Sequence, residues 1–153
     1  MKNKRCFTVF IFFFGVIFIG CNNNFNDLYK RMINEKETVF LEHSDYSSSV
    51  NKLYLKICKM GKKNNSKLLE FAINENQTNW ITNFSHRPLT DGDLAISLLI
   101  DINEISDVDF KFLMPLDIRN EYDEEGGRVF WDWIHEDIAN RKYVITQLKK
   151  LIN

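Results

Sequence analysis

Apolar residues recur at helical spacing along most of this chain. The longest stripe is Leu94, Ala95, Leu98, Leu99, Ile102 and Ile105, an i, i+3, i+4, i+7 pattern. Ile96 and Ile100 add apolar surface on other faces. A helix that is apolar over most of its circumference is buried on more than one side. Thr90 to Ile105 is therefore predicted to be the central helix. Its start is marked by Thr90, a hydroxyl cap, with Asp93 three residues later, a relative of the capping box with Asp in place of Glu. Asp91 and Asp93 also suit the positive end of the helix dipole.

The remaining pattern is helical too. Asp27 to about Thr38 reads as a first helix with Leu28 and Met32 inward. Val39-Phe40-Leu41 either extends it or crosses into the core. Ser44-Asp45 has the look of a cap, and from there to Met60 Tyr46, Val50, Leu53, Tyr54, Ile57 and Cys58 share one face. Gly61 supplies a left-handed residue to end that helix, with Lys62 and Lys63 near its negative end. Ser66 caps a third helix carrying Leu68, Leu69, Phe71, Ala72 and Ile73. Thr78 to Phe84 is predicted as a short turn presenting Trp80, Ile81 and Phe84. Pro88 holds Arg87 extended and breaks the segment there.

After the central helix, Val108 to Leu116 reads as a short helix or turn packed on it. Asp117 to Gly127 is acidic, ends in Gly126-Gly127 and is predicted to be a flexible surface loop. Arg128 to Glu136 shows Phe130, Trp131, Trp133 and Ile134 in helical order. Ile138-Ala139-Asn140 makes a junction, and Arg141 to Ile152 closes the chain with Val144, Ile145, Leu148, Leu151 and Ile152 inward. No alternating run and no hairpin dipeptide between such runs is present. The fold expected is all-α: one irregular bundle of about five to seven helices, or a solenoid-like stack of helix pairs.

The N-terminus follows a different rule. Lys2, Lys4 and Arg5 precede an uncharged apolar run from Phe7 to Ile19, the secretory-signal pattern. The run is about thirteen residues, against about 20 for a spanning helix. It closes as Phe18-Ile19-Gly20-Cys21. These residues resemble the lipobox of bacterial lipoproteins. The resemblance implies cleavage before Cys21, a diacylglycerol on the Cys21 thiol and an acyl chain such as palmitate on the new amino terminus. Two or three chains anchor a protein stably, where one does so only marginally. It also implies attachment to a membrane of the bacterial cell envelope, inner or outer, with the domain on the non-cytoplasmic side. Residues 1–20 would then be the signal, 21–26 the lipidated cysteine and a short tether, and 27–153 the helical domain.

Composition narrows the function. The 153-residue precursor carries a formal charge of −1, and removing Lys2, Lys4 and Arg5 with the signal leaves the mature chain at about −4. With no basic stretch interleaved with aromatics, nucleic acid is not a predicted partner. Cys6 would leave with the signal and Cys21 would carry lipid, so Cys58 has no partner for a disulfide. Its apolar helix face gives it the role of a buried structural thiol.

Candidate chemistry is sparse. Asp132, His135 and Glu136 share a helix at i, i+3, i+4, yet lack the second histidine of a zinc helix, so a solvated face is the competing reading. The acids Asp117, Glu121, Asp123, Glu124 and Glu125 fail as a calcium loop, because Tyr122 stands where glycine is required. They are candidates instead for contact with a basic partner. None of His43, His86 and His135 lies near a nucleophile-elbow motif. Trp131 and Trp133, two apart on a helix, either fill a thick aromatic core or leave one exposed as a partner anchor; Trp131 is the candidate. No cofactor or metal is implied. The function expected is a non-enzymatic, membrane-anchored, protein-binding domain of the immunity-protein or inhibitor type. A hydrolase acting on envelope polymer, or a helical scaffold without its own ligand, is the alternative. A cavity that gathers His135 or His86 with carboxylates would favour the enzyme.

Overall fold

Thr90 and Asp93 start the helix on which the others pack. In the computed structural model, which describes residues 24–36, 39–41 (backbone alone), 51–82 and 87–153, both halves of the capping box form. The Thr90 hydroxyl accepts from Asp93 N–H at 3.1 Å, and the Asp93 carboxylate accepts from Thr90 N–H at 2.7 Å. The elements in chain order are α1 (Phe25–Ile33), β1 (Val39–Leu41), α2 (Lys52–Cys58), a 3-10 turn (Lys62–Asn64), α3 (Asn65–Phe71), β2 (Trp80–Thr82), α4 (Asp91–Asn103), α5 (Asp107–Lys111), α6 (Leu116–Glu125), α7 (Gly127–Glu136) and α8 (Ile138–Ile152). The fold is all-α, as the apolar spacing predicts.

Helix α4 is the centre. Every residue from Asp91 to Leu99 is buried, including Asp91, Gly92, Asp93 and Ser97. Tyr29 of α1 donates to the Asp91 carbonyl at 2.5 Å, and Tyr54 of α2 donates to the Asp101 carboxylate at 2.6 Å. Asn65 of α3 and Asn103 exchange side-chain hydrogen bonds at 3.0 and 3.2 Å. Helix α8 meets α4 with Arg141, Val144, Ile145 and Leu148 inward; of the two residues expected to extend that face, Ile152 is partly buried but Leu151 is exposed in the last turn.

Several expectations change in detail. Helix α1 begins at Phe25, capped by the Asn24 side chain, so the ordered domain reaches into the expected tether. Phe25 is buried, which places the helix start two residues before Asp27. Residues 39–41 and 80–82 form a two-stranded parallel ladder, Val39 opposite Trp80, rather than helical turns. Trp80 is fully buried and its indole N–H donates to the Met32 carbonyl at 2.9 Å, which fixes the strand beside α1. Three-residue strands are too short to show an alternation. Helix α8 starts at Ile138 under an Asp137 cap, so 138–140 is its first turn and not a junction.

The acidic segment is the main correction. Residues 117–127 do not form a loop: 117–125 belong to α6, which ends at Gly126 with φ 79°. Ile118 and Tyr122, four apart, pack against the core and give the segment an inward face. Asp117 in its first turn favours the dipole. The signal and lipobox residues 1–21, the expected cap at Ser44-Asp45, Tyr46, Val50, Phe84, His43 and His86 lie outside the described residues.

Candidate functional site

Polar chemistry gathers first where α4, α7 and α8 meet. Asp93 is fully buried. One carboxylate oxygen lies 2.7 Å from His135 Nε2 and also accepts from Thr90 N–H. The other lies 2.7 Å from Arg141 Nη2, an ion pair without hydrogen-bond geometry. Arg141, 1% exposed, donates from Nη1 to the Ala72 carbonyl at 3.3 Å. Burial pushes the Asp93 carboxyl towards its neutral form. The His135 hydrogen bond, the Arg141 charge and the Thr90 N–H outweigh it and hold Asp93 below the usual carboxylate value.

Gly92 makes this junction sterically feasible. A Cβ there would stand 2.7 Å from both the Ala72 carbonyl oxygen and Arg141 Nη1, and closer still to the Asn74 carbonyl. The start of α4 thus abuts the end of α3, where only a glycine fits. A polar cavity of about 190 Å³ opens beside the cluster, lined by Glu75, Gln77, Arg87, Thr90, His135 and Arg141. His135 is therefore gathered with carboxylates, the arrangement that a histidine base requires. Among the described residues no serine or cysteine lines this cavity. Cys58 is elsewhere, half-buried at the end of α2. Burial, with the Asp101 charge behind it, pushes its thiol up to about 12, the chemistry of a structural thiol.

The second polar region lies between α6 and α7. Glu121 and Glu125 from α6 and Asp132 and Glu136 from α7 line one groove of about 150 Å³ floored by Ile118 and Trp133. Its cation, Arg128, is paired with Glu125 at 2.6 Å. Asp132 and Glu136 thus face α6 while His135 turns to Asp93, so these three do not converge on a metal. Among the described residues no group of three or more ligating side chains is close enough to hold a metal ion. Asp117, Asp123 and Glu124 are also exposed on α6, and Asp123 pairs with Lys111 at 2.5 Å.

Both α7 tryptophans are buried, Trp131 at 3% and Trp133 at 8% exposure. Trp131 is therefore not an exposed partner anchor. Helix α7 is covered on two flanks: Trp131 packs edge-on to Phe130, and Trp133 edge-on to Tyr143 of α8. Trp131 instead walls an apolar cleft of about 200 Å³ with Ile100, Ile105, Phe110 and Tyr122, and Asp107 stands among the lining side chains.

No sequence motif marks the Asp93–His135–Arg141 cluster. Its signal is present nonetheless. Arg141 continues the inward register of Val144, Ile145 and Leu148, and a charged residue at such a position needs a buried counter-ion. No family model, curated protein or solved structure matches the chain.

Proposed function

We propose that this chain is a lipid-anchored protein of the bacterial envelope whose helical domain binds another protein, in the manner of an immunity protein or inhibitor. The observation that carries the binding reading is the α6–α7 groove. Four carboxylates from two helices line it, and its one cation is already paired within the chain. Spread too widely to hold a metal, they suit the lysines and arginines of a basic protein surface. The anchoring part rests on the Phe18-Ile19-Gly20-Cys21 resemblance.

The test is co-purification of the full chain from detergent-solubilised envelopes, native against a Glu121→Lys, Asp132→Lys, Glu136→Lys variant. A protein partner should be recovered with the native chain and lost, or weakened by at least tenfold, with the variant. Recovery of no partner, or equal recovery with both, refutes the reading. Acyl labelling that survives Cys21→Ser refutes the anchor. The second reading, a hydrolase, draws on the His135–Asp93 contact beside a polar cavity. Release of sugar or peptide from purified envelope polymer, abolished by His135→Gln, would establish it.

A further inference from the structure

The cleft beside Trp131 has a different character from the acidic groove. Ile100 and Ile105 from the end of α4, Phe110 from α5 and Trp131 from α7 make it largely apolar. Its aromatic wall is braced, since Phe110 packs on Phe130 at 4.8 Å and on Tyr122 at 5.6 Å between ring centres. Exposed apolar side chains flank Phe110 along the chain. Val108 is 68% exposed, Phe112 49% and Leu116 71%. These are the three most exposed large apolar side chains among the described residues, and they follow one another at four-residue spacing.

Charge selects the occupant. The nearby cations are engaged within the chain: Lys111 with Asp123, Arg128 with Glu125, and the Arg119 guanidinium over the Phe112 ring at 4.8 Å. Among the described residues, Asp107 is the one charged residue that lines the cleft; it acts on the nearby Lys111 without forming an ion pair with it, since Lys111 is paired with Asp123. An apolar opening whose one charged lining group is a carboxylate disfavours anionic lipid and favours a cationic ligand with an apolar side chain.

We infer that this cleft is the socket for an apolar side chain on a basic, amphipathic segment of the partner, an inference that rests on the protein-binding reading above. Helix α6 is then a ridge between two contacts. Tyr122 faces the socket, and Glu121 and Glu125 face the acidic groove. A leucine- or phenylalanine-sized group fills the socket while a neighbouring lysine or arginine meets Asp107. Such a buried apolar anchor ringed by polar contacts is the usual form of a binding hot spot.

The experiment uses the full chain in phosphatidylcholine nanodiscs and two synthetic helical peptides of equal charge, one of leucine and lysine and one of serine and lysine. The leucine peptide should bind at least tenfold more tightly and shift the methyl resonances of Ile100 and Ile105. Ile105→Asn, and the milder Ile105→Ala should the first not fold, should remove that advantage and leave the serine peptide unchanged. If the leucine peptide shifts Val129 of the acidic groove but not Ile100 or Ile105, the socket is wrong and the binding reading stands. If neither groove responds to either peptide, both fall. Insertion of the cleft into the nanodisc lipid without peptide also overturns the socket.

Discussion

Arg141 occupies a position on α8 that its neighbours fill with valine, isoleucine and leucine. It stays there because Asp93 neutralises it and the Ala72 carbonyl accepts a hydrogen bond from it. Removing one partner of a buried pair strands the other charge, a loss of about 3–5 kcal/mol. Arg141→Leu should therefore lower the urea-unfolding free energy by about that amount at neutral pH; an unchanged midpoint would show that the pair contributes little. The folded Asp93 carboxyl is more acidic than the unfolded one. Its contribution is thus complete above the unfolded value of about 3.9 and is lost as pH falls through the lower folded value. Urea midpoints should decline steeply below about pH 4 in the native chain and less steeply in Asp93→Asn. Cys58 gives an independent residue-scale check. With its thiol near 12 it carries almost no thiolate at pH 8. Iodoacetamide should modify the Cys58 peptide slowly in the folded chain and readily in urea, as read by mass spectrometry.

At the scale of elements, ends matter more than middles. Helix α4 ends on Glu104 in the left-handed conformation, φ 54°, with Ile105 N–H returning to the Ile100 carbonyl at 3.1 Å. A side chain in that conformation costs about 1–2 kcal/mol, which glycine avoids at a smaller entropic cost. Glu104→Gly should raise the thermal midpoint by a few degrees, equivalent to about 0.5–1 kcal/mol, while Glu104→Ala should not; calorimetry of the two variants decides it. Helix α6 teaches a related point about sequence. Its acids were legible as charge, but the Gly126-Gly127 pair made the whole stretch look like a loop. The inward pair Ile118 and Tyr122 carries the helical signal, and two inward residues in ten are a faint stripe. The strands failed for a similar reason: Trp80 reads equally well on a short helix until its indole is seen bonded to Met32. The start of α4 was fully legible, because capping chemistry is local in the chain. Asp93 reads there as a cap, and its second role with His135, 42 residues away, depends on tertiary packing that spacing does not encode.

The whole molecule shares one core. Residues from α1, α2, α3, α4, α7 and α8 belong to a single buried cluster, with Trp80 on one side and Trp131 and Trp133 on another. Unfolding should therefore be a single transition. Far-ultraviolet circular dichroism and tryptophan fluorescence should give coincident curves in urea, and a separate early phase for either probe would mean that the two sides melt apart.

Gly92 carries a consequence for recognising kin of this chain. Surface acids on α6 and α7 can drift, since each is solvated and replaceable. A glycine pressed on two carbonyls, an aspartate beside it, and a distant histidine and arginine that both reach that aspartate cannot drift one at a time. Lineages sharing this architecture should carry Thr90, Gly92, Asp93, His135 and Arg141 as a linked signature, exchanged together or not at all, while their outer surfaces diversify.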